Sequence, residues 1–296
     1  MPRKQRSRIS CDNNQKALLI RRSPQEPDAV TYLQLLEETF DAAEQAIRKI
    51  GSIKEAATPL TVGAFGDTTY RIDKVAEEAI IRVIRQRLPG SLIVSEEAGK
   101  IGDQNGQPLV LIDPIDGSTN ASRGVPFYSS AIAIIEGHRF GDVAAAGVFD
   151  LIHKERIVSA GGGKVTVNGQ PAAAPTSAKP FDKAYINLNL RSKTSNEAER
   201  WLRALLKDVK YPRFLGSAAL ETVYVAIGRS DAFVQIEPNL RSFDCIGSLF
   251  MVQEAGAWFK CLNTDLDKVD LRGTERFAYV AACGAEMGKA ILSVKP

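Results

Sequence analysis

The sequence predicts an α/β fold in which layers of helices pack against mixed sheets. Three observations predict it: two long helical periodicities in the first 90 residues, a run of short strand-like segments between residues 128 and 167, and an alternation of strands and helices from residue 184 onward. The bulk composition agrees, since 44% hydrophobic and 25% charged residues are ordinary for a globular chain that buries a sizeable core. At 296 residues the chain fits one large unit or two joined halves.

Val30 to Ile50 carries apolar residues at helical spacing with an acidic N-terminal half, and Gly51 ends it. Thr58 to Asp67 reads as a polar, glycine-containing loop. Thr69 to Leu88 is a second helix, stopped by Pro89-Gly90. Ser91 to Ser95 is a short strand pointing at Glu96-Glu97, Gly99 to Pro108 a loop, and Leu109 to Ile112 a buried strand running into Asp113. Tyr128 to Ile135, Val143 to Phe149, Glu155 to Ala160 and Lys164 to Val167 form an antiparallel meander with turns at Glu136-Gly137-His138 and Gly161 to Gly163. Residues 171–180 are the one linker-like stretch. They divide the chain into a basic tail (1–27), a half spanning 28–175 and a half spanning 176–296. Beyond them the order is strand (Ala184 to Leu190), helix (Asn196 to Lys207), strand, helix (Ala218 to Ile227), strand (Asp231 to Ile236), helix (Phe243 to Ala255), two strands and a last helix. No internal repeat is visible.

Composition narrows the chemistry. Net charge is +3, but residues 1–27 carry Arg3, Lys4, Arg6, Arg8, Lys16, Arg21 and Arg22 against Asp12 and Glu26. That cluster reads as a solvated tail, with binding of a nucleic acid or an acidic protein surface as the alternative; it lacks the interleaved aromatics that stack bases. Cys11, Cys245, Cys261 and Cys283 form no CxxC pair and read as reduced thiols. With His138 and His153 as the only histidines, a zinc site of the usual nitrogen and sulfur type lacks donors, so a metal here is a hard cation held by oxygen. No apolar stretch reaches membrane-spanning length, and no hydrophobic signal core follows the basic start, so the expected location is the cytoplasm. There is no GxSxG elbow. Gly161-Gly162-Gly163-Lys164 lacks the first glycine of a phosphate-binding loop and is followed by Val165, so it reads as a turn.

The informative segment is Leu111-Ile112-Asp113-Pro114-Ile115-Asp116-Gly117-Ser118-Thr119-Asn120. A hydrophobic strand delivers Asp113 to its carboxyl end, and Pro114, lacking an N–H, is expected to stop the ladder. Asp116 precedes a helix-start composition whose N–H groups suit a phosphate. Two carboxylates so close repel unless a cation lies between them. Side-by-side cation and anion sites are what metal-assisted phosphoryl transfer needs. On these residues alone a second reading stands, in which Asp116 only caps the helix and Asp113 only makes a turn.

This segment resembles the DPIDGT motif of the inositol monophosphatase family, the lithium-sensitive metal phosphatases that include fructose-1,6-bisphosphatases. Ile93-Val94-Ser95-Glu96-Glu97 resembles the family's strand ending in paired glutamates, and Gly66 to Asp73 (GDTTYRID) its upstream D-x-V-T-x-x-D stretch. Leu240-Arg241-Ser242-Phe243-Asp244 with Val252 to Ala257 (VQEAGA) resembles its second motif. Four motifs in order, from about Val30 to the C-terminus, carry the resemblance. There are departures: Phe243 stands for the usual Trp, Ser118 for the frequent Thr, and Cys245-Ile246-Gly247-Ser248 for the usual V-A-A-G. The Leu240-Arg241…Asp244 pattern is closer to archaeal members with dual specificity.

The resemblance implies an αβαβα sandwich, a homodimer, and a phosphoric monoester hydrolase acting on inositol 1-phosphate, fructose 1,6-bisphosphate or both. The composition adds that no membrane partner is expected and, with the basic tail as its one candidate site, no nucleic acid. It implies two or three Mg²⁺ per site, with Mn²⁺ as the alternative. Glu96, Asp113, the Ile115 carbonyl, Asp116 and Asp244 would hold metal. Asp73 with Ser118 would orient or deprotonate the water, with Glu96 as the third catalytic group. Gly117, Ser118 and Thr119 would bind the phosphate, Glu237 a substrate hydroxyl, and Arg241 a second phosphate by bidentate hydrogen bonds. Plainer readings stand beside these: Asp73 as a solvated helix residue, Asp244 as an N-cap, Glu237 as a strand-end charge, Glu97 as a loop support and Glu254 as structural. The alternative within the fold is a 3′(2′),5′-bisphosphate nucleotide phosphatase. Outside it, the alternative is an RNA- or protein-binding regulator using the basic tail.

Overall fold

The computed structural model describes residues 31–173, 175, 180–190 and 194–294; the basic tail, Cys11 and part of the linker-like stretch lie outside them. Helix α1 (Tyr32–Arg48) opens with a reciprocal cap, in which the Thr31 hydroxyl accepts from the Gln34 amide at 3.2 Å while the Thr31 amide donates to the Gln34 side chain at 2.9 Å. A single turn, α2 (Ile53–Ala56), follows. The stretch expected to be a loop instead holds β1 (Pro59–Val62), which pairs antiparallel with β2 (Thr68–Tyr70). Thr69 and Tyr70, expected to open the second helix, are therefore strand, and the helix begins at Arg71. Every residue of β1 is exposed, so no buried face left an apolar alternation to read. Helix α3 (Arg71–Arg87) follows, then β3 (Leu92–Ser95) and β4 (Gly99–Ile101). The expected loop at Gly99 thus begins as a three-residue strand on the edge of β3.

Strand β5 (Leu109–Asp116) corrects a second expectation. Pro114 interrupts the ladder to β6 (Ser129–Ile135) without ending it: pairing is regular from Leu109 to Asp113, irregular across Pro114, and resumes at Asp116 opposite Ser129. The remaining elements are α4 (Ser118–Arg123), β7 (Val143–Asp150), β8 (Glu155–Ser159), β9 (Thr166–Val167), β10 (Gln170–Pro171), β11 (Tyr185–Asn189), α5 (Asn196–Asp208), β12 (Tyr211–Arg213), α6 (Ala218–Ala226), β13 (Ala232–Leu240), α7 (Ser242–Glu254), β14 (Trp258–Cys261), β15 (Phe277–Ala282) and α8 (Ala285–Ser293).

Five layers result. One sheet runs β10-β9-β8-β7-β6-β5-β3-β4, with β3 and β5 parallel and the other pairs antiparallel; the second runs β12-β11-β13-β15-β14, with β12, β11 and β13 parallel. Helices α1 and α3 cover the outer face of the first sheet through Leu36, Phe40, Ile80 and Ile84 against Val110, Ile112 and Phe149. Phe40 stacks on Phe149 at 5.4 Å, and Gly147 leaves it room, since a Cβ there would lie 2.8 Å from the Phe40 ring. Burying such a ring contributes about 2 kcal/mol. Helices α6 and α7 fill the space between the sheets, where Leu111, Phe233, Phe277 and Tyr279 meet Leu220, Ile246 and Leu249. Helices α5 and α8 close the far side with Trp201, Leu205 and Ile291. Alternate residues of β5 therefore face two different cores, which is why its sequence reads as a continuous apolar run. Cys245 and Cys261 are free thiols.

Candidate active site

The acidic site grows from the parallel register of β3 and β5. Ser95 is opposite Ile112, so the next residue on each strand, Glu96 and Asp113, emerges at the same carboxyl edge; the Glu96 amide donates to the Ile112 carbonyl at 3.2 Å. Carboxyl ends of parallel strands are where α/β sheets hold ligands. Three residues on, Asp116 reaches the N-terminus of α6. There it accepts hydrogen bonds from the Ser217 hydroxyl (2.5 Å) and the amides of Ala218 (3.0 Å) and Ala219 (2.8 Å). Gly117 then turns the chain with φ 96°, and a Cβ there would meet the Gly216 carbonyl at 3.0 Å, so the corner requires glycine. Helix α4 starts at Ser118, whose hydroxyl donates to the Ile115 carbonyl at 2.8 Å. Asp244 comes from the second sheet's side, as the third residue of α7, and accepts from the Arg241 amide at 2.7 Å.

These elements enclose a cavity of about 450 Å³ lined by Glu96, Asp113, Ile115, Asp116, Gly117, Ser118, Thr119, Arg241 and Asp244. The four acids expected to hold metal thus line one cavity. Asp73, near the start of α3, is fully buried beneath it, with one oxygen accepting from the Tyr70 amide at 2.7 Å. Glu237 is not among the residues that line this cavity, and its carboxylate accepts from the Ser195 amide at 2.8 Å. Arg241 lines the cavity, but its guanidinium is engaged with Glu96, Asp67 and the Phe65 carbonyl instead of facing open space. Glu97 accepts from the Thr69 hydroxyl and Glu254 from the Gly163 amide, both in supporting positions.

Electrostatics set this cavity apart. Burial first, then the charges of Glu96, Asp116 and Asp244, push the Asp113 carboxyl well above its ordinary range. Burial, then Asp244 and Glu97, does the same to Glu96, against the pull of Arg241. Burial raises Asp73 to about 7, with the Tyr70 amide and the nearby Ser118 hydroxyl opposing it. Asp116 is raised by burial but relieved by the Ser217 hydroxyl and the α6 amides.

The residues suit a hard divalent cation. The donors are oxygens only, and one oxygen each of Asp73 and Asp113 is buried with no hydrogen-bond partner, a costly state that a cation relieves. Among the described residues no three acidic, histidine or cysteine side chains are drawn into a preformed metal cage. The reason is visible: Asp116 is turned to α6 and Glu96 to Arg241.

Several residues of the site escaped the sequence reading. Ser217 holds Asp116, and Glu221 behind it accepts from the amides of Leu215 (3.2 Å), Gly216 (3.1 Å) and Ser217 (3.2 Å). Asn120 donates to the carbonyls of Phe127 (2.8 Å) and Leu215 (2.7 Å), joining the first motif to this turn. Buried Glu77 accepts from the Ser95 hydroxyl and the Glu97 and Ala98 amides and so shapes the turn carrying Glu96. Gly216-Ser217 before an apolar helix, with Glu221 four residues on, was the available signal for the first pair; Glu77 looks like any other acid on an amphipathic helix.

Comparison with known proteins agrees with this geometry. The model of the inositol monophosphatase family matches residues 34–287. A Nus factor SuhB from Xylella fastidiosa is 30% identical over 73% of this chain and 77% of its own length. A fructose-1,6-bisphosphatase/inositol-1-monophosphatase from Methanothermobacter thermautotrophicus is 28% identical over 78% of this chain and 85% of its own. A solved structure from Pyrococcus horikoshii, described as a hypothetical protein with similarities to inositol-1 monophosphatase, superposes with a TM-score of 0.74 at 28% identity, covering 90% of this chain and 98% of that one. With a family match over most of its length and the acidic corner in place, the chain belongs to the inositol monophosphatase family.

Proposed function

We propose that this chain is a Mg²⁺-dependent phosphatase that hydrolyses a phosphate monoester of inositol 1-phosphate, fructose 1,6-bisphosphate or both. The observation that carries the reading is the convergence of Glu96, Asp113, Asp116 and Asp244 on one cavity beside Gly117, Ser118 and Thr119. When bound, divalent cations supply charge stabilisation for the attacking and leaving oxygens of an in-line displacement. Glu96, Asp113, Asp116, Asp244 and the Ile115 carbonyl would hold them. Asp73, whose raised carboxyl titrates near neutrality, would accept the proton of the attacking water, with Ser118 fixing that water's direction. The donors of residues 117–119 would take the phosphate.

A fructose-1,6-bisphosphatase/inositol-1-monophosphatase and Nus factors among the relatives support the phosphatase reading and a second, regulatory one, respectively. Among the described residues no helix is long and apolar enough to cross a membrane. The test is a panel of inositol 1-phosphate, fructose 1,6-bisphosphate and adenosine 3′,5′-bisphosphate, each with Mg²⁺, with Mn²⁺ and with lithium added. Turnover of either of the first two, blocked by lithium, is expected. Preference for the nucleotide moves the assignment to the nucleotide phosphatases, and no turnover of any favours the regulatory role.

A further inference from the structure

Arg241 uses its terminal donors inside the protein. Its side chain is 7% exposed. Nη1 donates to Glu96 Oε1 at 3.1 Å; Nη2 donates to Asp67 Oδ2 at 2.5 Å and to the Phe65 carbonyl at 3.1 Å. The guanidinium also lies over two rings, Phe65 at 5.2 Å and Phe243 at 5.7 Å, which are themselves 5.4 Å apart. Phe65 and Asp67 belong to the turn between β1 and β2, Phe243 to α7 and Glu96 to the end of β3. One side chain joins three elements beside the acidic cavity, which Asp67, Glu96 and Arg241 all line. The hairpin has few other ties there: the Ala64 amide donates to the Glu97 carbonyl at 3.0 Å, and the Thr69 hydroxyl to the Glu97 side chain.

We propose that Arg241 is a positioning residue, which holds the turn at residues 63–67 closed over the cavity by linking Asp67 and Phe65 to Glu96. A planar fork is what the task requires. It donates in one plane to two carboxylates and a carbonyl while its faces rest on two rings. An ammonium keeps the charge but lacks both the fork and the flat faces. Only the kinetic part of this inference rests on the phosphatase reading.

The test compares the unaltered full chain with Arg241→Lys and with Asp67→Asn, which breaks the same link from a side chain that is 53% exposed. Hydrogen exchange is followed at the amides of Gly63, Ala64 and Gly66, whose acceptors are the carbonyls of Asp67, Glu97 and Gly63. Both variants are expected to speed exchange at these three amides roughly tenfold and to leave α1 and α3 unchanged. KM for inositol 1-phosphate should rise roughly tenfold with a smaller fall in kcat, as expected when a cover is loosened. Unchanged exchange at the three amides in Asp67→Asn overturns the proposal, whether or not Arg241→Lys folds. Reduced turnover in Arg241→Lys without faster exchange also overturns it and makes Arg241 a direct substrate contact. If the unaltered chain turns over no phosphate ester, the phosphatase reading fails while the exchange result still decides for Arg241.

Discussion

The corner made by β5 and α4 and the hairpin β1–β2 border the same cavity but are built on opposite terms. Every residue of β5 is buried, its first four residues are paired on both sides, its apolar side chains pack into two cores, and it ends in two carboxylates three residues apart. The hairpin exposes all of β1 and reaches the site through a turn tied down by Glu97 and Arg241. The corner thus holds its carboxylates in a fixed place, where burial makes each unmet oxygen costly. Apart from Phe65 against Phe243 and the buried Thr69, the hairpin has little burial to hold it, so its position rests largely on a few polar links. Within the corner the same contrast recurs at smaller scale: Asp116 accepts from the Ser217 hydroxyl and two α6 amides, whereas one buried oxygen of Asp113 has no hydrogen-bond partner.

Substitutions that break this contrast should differ in size. The largest effect is expected for Asp113→Asn, which should lower kcat/KM for inositol 1-phosphate on the order of a thousandfold. Its melting temperature without added metal should not fall, because the lost charge was unsatisfied and repelled by its neighbours; a marked drop would make Asp113 a structural residue. Asp116→Ala should instead unfold the chain more easily, by about 2–4 kcal/mol in urea titration, since the Ser217 hydroxyl and two buried amides lose their acceptor.

A smaller, pH-dependent effect belongs to Glu221. Burial raises its carboxyl from 4.5 to about 8, although the Leu215, Ser217 and Gly216 amides oppose the shift. The native state therefore keeps a proton that the unfolded chain releases. Its contribution to stability is full below pH 4.5 and is lost as pH rises to about 8. Glu221→Gln should flatten the decline of the urea midpoint across that window; a decline as steep as in the unaltered chain would exclude Glu221 as its source. The smallest effect is expected on the hairpin itself. Val62 is 71% exposed, so Val62→Ser should shift unfolding by less than about 0.5 kcal/mol, measured the same way.

Legibility in the sequence follows burial. Helices α1, α3, α5, α6 and α7 and the strands from β5 to β8 were readable because each buries a face, and a buried face leaves a period in the residues. Strand β1 and the short β4 were read as loops, and Thr69 and Tyr70 of β2 as the start of the second helix, because strands this short with little buried face leave no apolar alternation to read. Pro114 was read as a stop because its missing N–H is a local fact. That pairing resumes at Asp116 depends on Ser129 arriving from another strand.

The residues alone determined the class of chemistry: oxygen donors without a histidine or cysteine set, and two carboxylates before a helix start at Gly117. They also showed one strand running into Glu96 and another into Asp113; that the two strands are parallel neighbours was decided by the tertiary structure. Tertiary structure decided which charges face each other. It turned Glu237 to the Ser195 amide, gave Arg241 to Glu96 and Asp67, and brought Ser217 to Asp116 across a hundred residues of chain. Charge partnerships of that kind depend on distance through space and on the exclusion of water, and a residue's place along the chain records neither.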